Sequence, residues 1–397
     1  MIECHIDFES RSPFHPSDVG LHNYIFSAET EPLFLWYRIG EGEYKCWRIW
    51  EGQSMPIELA CTITMEEVMF VAYNSAFERY MFRKLNWNIP ASRFIDPQVG
   101  GRYLSLPASL EVQCRVMGLP PSLSKDKRGD ELIDLFCKQV VEKKTKKNPN
   151  PRTYYNDWNS HPKEWAEFLE YGRQDVVAEG ELLRRMRILG ALPLPEFEQK
   201  VWILDQKIND RGMPVDVEFV RKMYNLGLRA KAEAKKNFED FTGVKNANSP
   251  QQVKAWAKPQ GYPFDTLKKD TVASVLKDPE IKLTDACRAA LKMRAEAAST
   301  SYQKLGKILE CVSPDGRVHG QFIFMGSSRC GRWSGNAVQL HNFARPTLVG
   351  GYDFEDQKVV KEAREFIYRE DYDGIKQKYG SVLLVVKSLI RTVFVAP

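Results

Sequence analysis

The sequence predicts a mixed α/β domain at the start of the chain, followed by long charged helices. Two patterns carry that prediction. Between residues 2 and 73 short stretches alternate apolar and polar residues with a period of two, whereas beyond residue 160 apolar residues recur at steps of three and four. Strand patterns giving way to helix patterns indicate a sheet flanked by helices. At 397 residues the chain is long enough for two or three domains with their own cores.

The opening strand spans Ile2 to Glu9, where Ile2, Cys4, Ile6 and Phe8 alternate with Glu3, His5, Asp7 and Glu9. Pro32 to Ile39 and Glu43 to Trp50 read as two further strands, with Gly40-Glu41-Gly42 as the turn between them. Met69 to Tyr73 is a short apolar strand that runs into a helix, Ala76 to Leu85, whose start is marked by Asn74 and Ser75. From Leu106 the chain reads as helical, with a polar loop at Ser122 to Gly129 and a basic loop at Lys143 to Pro151. A long helix begins near His161-Pro162, its apolar stripe made of Trp165, Phe168, Leu169, Val176, Leu182, Leu183 and Met186. Leu192-Pro193-Leu194-Pro195 breaks the pattern and sets the first boundary, giving an expected domain at 1–192. Helices at Glu196 to Arg211, Val217 to about Phe241 and about Thr284 to Cys311 follow, and suggest an arm over 193–312. From Gly316 the residues Val318, Gly320, Phe322 and Phe324 turn strand-like again, opening a third region at 313–397.

The apolar fraction of 43% and charged fraction of 27% describe an ordinary globular protein. No apolar run approaches the roughly 20 residues that span a bilayer, and Met1 to Asp7 lacks the layout of a signal peptide. The chain is therefore expected in the cytoplasm, with no membrane partner. Its eight cysteines are scattered, without Cys-x-x-Cys pairs or zinc-site spacing, and read as reduced packing residues. A net charge of +5 permits a polyanionic partner without requiring one, because local patches decide such binding.

Residues two apart on a strand share a face, so Asp7 and Glu9 project side by side. An oxygen-rich carboxylate pair suits Mg²⁺ or Mn²⁺ better than zinc. Alone, such a pair reads as the solvated face of an edge strand. Two further groups join it. Asn74-Ser75-Ala76-Phe77-Glu78 places a carboxylate one turn into a helix directly after a strand, and Tyr171 and Asp175 lie four apart, on one helix face. Read singly, these would be an N-capped surface helix and a half-buried Tyr–Asp pair. Their joint occurrence in this order is harder to dismiss.

Together these motifs resemble the proofreading exonucleases with four acids and a tyrosine, most of all those of family A DNA polymerases similar to bacterial DNA polymerase I and their phage relatives. The resemblance implies a ribonuclease H-like mixed sheet flanked by helices, and a two-metal hydrolysis of DNA from its 3′ end. On the matching positions, Asp7 would bridge two Mg²⁺ (or Mn²⁺) ions, Glu9 and Asp175 would complete one site, and Glu78 would hold the second ion through water. Tyr171 would position the attacking water, while Asn74 and Phe77 would seat the terminal nucleotide. Glu78 stands where the family usually has aspartate.

Later segments extend the resemblance: Asp315-Gly316-Arg317-Val318-His319, Arg329-Cys330-Gly331-Arg332-Trp333-Ser334-Gly335 and Gln339-Leu340-His341-Asn342. They are similar to the family's link from thumb to palm, with Cys330 in place of the usual threonine. This implies a helical thumb followed by an incomplete palm, and phosphate and minor-groove contacts to a primer–template duplex through Arg332, Gln339, Asn342 and Arg345. Lys245, Lys254, Lys268 and Lys269 would lie near the thumb's tip. Val395-Ala396-Pro397 resembles the stretch just before the first catalytic strand of the palm, so this chain is expected not to polymerise DNA alone. Three histories stay open: a split gene, whose separately encoded polymerase fragment would be a partner, an intron-interrupted gene, or a truncated product. Asp353, Glu355, Asp356, Asp371 and Asp373 read as a solvated face of a charge-rich insert. Two alternatives stay open: a DNA-clamping subunit without catalysis, and a stand-alone exonuclease similar to ribonuclease D.

Overall fold

The computed structural model describes residues 2–120, 127–145, 148–327 and 329–396. Most of the expected polar loop at 122–129, the two central lysines of the basic loop, and Pro397 lie outside these residues. The chain forms two compact units, Met1–Gly212 with Ser313–His341, and Met213–Val312 with Asn342–Pro397. The boundary read at 192–195 falls inside the first unit, and the region at 313–397 is divided between the two.

In the first unit, strand β1 (Ile2–Arg11) is followed by helices α1 (Pro16–Val19) and α2 (Leu21–Phe26), and by strands β2 (Glu31–Ile39) and β3 (Lys45–Arg48). Helix α3 (Ile57–Thr64), strand β4 (Val68–Val71), helix α4 (Ala76–Lys84) and strand β5 (Phe94–Ile95) come next. Helices α5 (Pro97–Tyr103), α6 (Leu110–Val116) and α7 (Lys127–Cys137) precede a small pair, β6 (Val140–Val141) and β7 (Thr153–Tyr154), and the long helices α8 (Pro162–Ile188) and α9 (Glu196–Arg211). The expected mixed α/β domain is present as a five-stranded mixed sheet in the order β3-β2-β1-β4-β5. Strand β1 runs antiparallel to β2 and parallel to β4, and so lies at the centre.

The period of two decides what each face of the sheet meets. Cys4, Ile6 and Phe8 are buried in a core that also holds Tyr80, Met81 and Phe82 of α4, with the Phe8 and Phe82 rings edge-on at 5.1 Å. The other face of β1 carries His5, Asp7 and Glu9, opposite Arg38, Trp36 and Phe34 of β2. Helix α8 lies against this face. A Cβ on Gly172 would stand 2.8 Å from the Phe34 ring, and one on Gly180 would stand 3.3 Å from His5, so the two glycines let the helix approach closely.

Residues 313–341 complete this unit. Phe324 joins its core, the Trp333 indole donates to Asp205 Oδ1 at 2.7 Å, and Ser313 bonds His22 Nδ1 at 3.0 Å. The strand-like pattern here condenses to a two-residue antiparallel pair, Phe322–Ile323 with Ser334–Gly335.

The second unit contains α10 (Val217–Thr242), α11 (Pro250–Ala257), α12 (Lys269–Lys277), α13 (Asp285–Ala297), α14 (Gln303–Cys311), α15 (Gln357–Tyr368), α16 (Tyr372–Tyr379) and α17 (Val382–Leu389). Phe238 of α10 packs with Val253, Val275, Cys287 and Leu291 in a small core of its own. The single helix read over 284–311 is broken between α13 and α14, where Ser299, Thr300 and Ser301 offer hydroxyls that compete for the backbone. The buried Lys231 Nζ caps the break by donating to Ala297 O (2.6 Å) and Ser299 O (2.7 Å). The charge-rich insert folds into α15 and α16, with Val360, Ala363, Ile367 and Ile375 buried. Its acids are exposed, as expected, and Asp356 and Asp371 serve as N-caps of those helices.

Among the described residues no helix is long and apolar enough to cross a membrane. All eight cysteines are free, with Cys4, Cys114, Cys287 and Cys311 buried.

Candidate functional site

Three elements of the first unit bring the predicted acids into one neighbourhood. Asp7 and Glu9, both partly buried, extend from the central strand β1 on the side that meets α8. Glu78 lies in the first turn of α4, immediately after β4, and is only 2% exposed. Tyr171 and Asp175 share one face of α8.

Electrostatic coupling shows the proximity. Burial, and then the Asp7 carboxylate, push the pKa of Glu78 well above the ordinary carboxylate range. Burial, followed by Asp175, Glu9 and Asp7, raises the Tyr171 phenol far above its usual value. Tyr171 therefore stays protonated and can orient a water but not act as a base. Its ring is packed tightly: a Cβ on Gly129 of α7 would sit 2.3 Å from Tyr171 Cε2.

Two buried acids that the strand and helix patterns do not single out stand beneath this group. Asp96, the N-cap of α5, accepts from Asn74 N (3.0 Å), Ser75 N (2.9 Å), Ser75 Oγ (3.0 Å) and Gln98 N (2.9 Å). Glu179, on α8, accepts from Tyr73 N at 2.7 Å and shares a hydrogen bond with His5 Nδ1 at 3.3 Å. The signal for Glu179 was its place four residues beyond Asp175, on the same helix face. For Asp96 it was the Asp-Pro pair at a helix start. Asn74 is exposed and left-handed, with φ of 65°. Phe77 is half-buried, its ring 6.3 Å from that of Tyr24.

Every candidate ligand is a carboxylate, as Mg²⁺ and Mn²⁺ require. Glu78 Oε2 is buried with no hydrogen-bond partner, so a positive charge nearby would relieve a strain that the protein leaves uncompensated. Among the described residues no three His, Cys, Asp or Glu side chains are close enough to hold an ion by themselves. The acids thus neighbour one another without closing on a common point.

The four residues expected to touch duplex DNA are all exposed. Arg332 and Gln339 belong to the first unit, Asn342 and Arg345 to the second. Cys330 accepts a hydrogen bond from Arg332 Nε at 3.0 Å and lies 3.2 Å from Ser327 Oγ, so the thiol takes up polar contacts within its own loop. Lys245, Lys268 and Lys269 are exposed and Lys254 partly so.

No family model matches the chain. It is 32% identical, over 98% of its length, to the DNA polymerase of Bacillus phage SP02, of which it spans 57%. Its fold is similar to the POL domain of Pol1 from M. smegmatis, solved in complex with DNA primer–template and dNTP, at a TM-score of 0.50 and 13% identity. That likeness covers 87% of this chain and 53% of the other. The expected resemblance to a phage DNA polymerase is thereby borne out: the chain is similar along nearly its whole length to one, and spans little more than half of it.

Proposed function

We propose that the first unit is a metal-dependent 3′→5′ exonuclease acting on DNA, of the proofreading type found with family A polymerases. The observation that carries this reading is the placing of Asp7 and Glu9 on the face of β1 that meets α8, the helix of Tyr171 and Asp175, with Glu78 of α4 close enough to Asp7 to feel its charge. The strand order β3-β2-β1-β4-β5, with β2 antiparallel to its neighbours, supports a ribonuclease H-like frame for them. The relationship to a DNA polymerase supports DNA as the substrate and replication as the setting.

Asp7, Glu9 and Asp175 would hold the ions directly, and Glu78 through water. Divalent ions bound there would supply an activated water and stabilise the leaving 3′ oxygen. The chain's own part is to orient and to position. The protonated Tyr171 phenol orients the water, held by the packing of α7 and α8. Asn74, on the exposed turn before α4, meets the terminal nucleotide, and Phe77 stacks on its base. Arg332, Gln339, Asn342 and Arg345 contact the phosphates and minor groove of a duplex.

The test is cleavage of 5′-labelled single-stranded DNA in Mg²⁺, beside the Asp7→Ala, Glu9→Ala double variant. Products shortening from the 3′ end, absent in the variant and with EDTA, are expected. Uncut DNA in all lanes despite measurable binding would replace this reading with a second, a DNA-clamping subunit without catalysis. That no three such ligands converge among the described residues favours that second reading.

A further inference from the structure

We infer that Glu179 and Asp96 are positioning residues of this site: Glu179 ties together the three elements that carry its acids, and Asp96 fixes the turn that carries Asn74. The inference rests on the exonuclease reading and names residues that the reading does not use.

Glu179 lies one helical turn beyond Asp175 on α8, so whatever holds one holds the other. Its Oε2 accepts from the backbone of Tyr73, the residue that leads from β4 into the Asn74–Glu78 segment. Its Oε1 meets His5, two residues before Asp7 and on the same face of β1. One side chain, 1% exposed, thus touches the strand of Asp7 and Glu9, the entry to the helix of Glu78, and the helix of Asp175 itself.

Asp96 acts on the same segment from another side. Its two oxygens take the amides of Asn74 and Ser75 and the Ser75 hydroxyl, while also capping α5. A non-glycine residue in the left-handed region persists only where its surroundings over-determine it, and Asp96 supplies that constraint at Asn74. Among the described residues neither acid has a lysine or arginine in direct contact, Arg102 acting on Asp96 and Arg38 on Glu179 only from a distance. Burying a carboxylate without such a partner is unfavourable, and packing alone would be met better by an apolar side chain. What both carboxylates provide is several acceptors at fixed places under the candidate ligands. Groups that orient metal-binding side chains in this way typically alter metal affinity or activity by about 10–100-fold when removed.

The experiment uses the full chain with Mn²⁺ as probe, titrated by electron paramagnetic resonance, beside cleavage kinetics on labelled single-stranded DNA. Glu179→Gln is expected to weaken Mn²⁺ binding and lower kcat, each by about 10–100-fold, with KM for DNA unchanged and the melting temperature near that of the unaltered protein. Asp96→Asn is expected to act mainly on KM, through Asn74. If Glu179→Gln does not fold, His5→Gln loosens the same tie while leaving the Tyr73 bond, and a smaller fall in both readouts is expected. Variants that bind Mn²⁺ and cleave as the unaltered protein does would overturn the inference alone. An unaltered protein that neither binds Mn²⁺ nor cleaves would remove the exonuclease reading, and this inference with it.

Discussion

At Glu78 the chain buries a carboxylate whose Oε2 meets no hydrogen-bond donor. A buried unpaired polar group costs about 1–3 kcal/mol, so Glu78→Met is expected to raise the melting temperature while lowering cleavage at least about ten-fold. Thermal denaturation and kinetics on the same preparation decide it, and a variant that loses both stability and activity would contradict the account. At Gly129 the expectation is the reverse. Alanine usually favours a helix by about 1 kcal/mol, but here its Cβ would meet the Tyr171 ring, so Gly129→Ala is expected to slow cleavage with little gain in stability. Asp7, Glu9, Tyr171 and Asp175 were legible in the sequence because strand and helix periods put them on shared faces. Asp96 and Glu179 were not, because their main partners are the backbone amides of Tyr73, Asn74 and Ser75, far away in the chain and without side-chain identity.

Between α4 and α9, Arg79 is fully buried and forms paired bonds to Asp210, at 2.8 and 3.0 Å, with Arg83 adding a third at 2.6 Å. Removing one partner of a buried pair strands the other, at a cost of about 3–5 kcal/mol, and Asp210→Ala is expected to destabilise by that order in urea unfolding. Burial alone would raise the Asp210 pKa, but the bonds from Arg79 and Arg83 outweigh it and hold the group below its ordinary value. Its folded pKa is therefore depressed. The stability it confers is complete above the unfolded carboxylate pKa of about 3.9 and is lost as pH falls through the lower folded value. In the second unit, Lys231→Met leaves the Ala297 and Ser299 carbonyls without their donor, and a loss of about 1–3 kcal/mol is expected. The long helices were readable from their apolar stripes. The break after α13 was not, since the buried lysine that caps it lies in α10, and the stripes of α15 and α16 were masked by the charges that alternate with them.

Across the molecule, the chain leaves the first unit at Gly212 and returns to it at Ser313. The return segment stacks the His319 imidazole on that of His22, with ring centres 3.8 Å apart. Burial, and then His319, lower the pKa of His22 to about 4. The unfolded chain therefore binds a proton at His22 that the folded unit refuses, and stability is expected to fall as pH drops from about 6.5 toward 4. Melting curves across that window test this, and His22→Phe should weaken the dependence, the buried His5, also held down to about 4, keeping the remainder. A chain ending at Gly212 would lack Phe324 in the core and the Trp333–Asp205 bond. It is expected to melt several degrees below one ending at His341. This return could not be read from local patterns, because strand and helix periods report which face is buried and say nothing about which neighbour covers it.

The same return sets an order in time. Every acid of the candidate site precedes Gly212, yet the segment that completes their unit emerges only after residues 213–312 have been made. Ribosomes add about 5–20 residues per second, so that interval lasts on the order of 5–20 s. During it Asp205 and Asn209 of α9 wait for the bonds that Trp333 and Phe322 later supply, and Trp202 for the core that Phe324 joins.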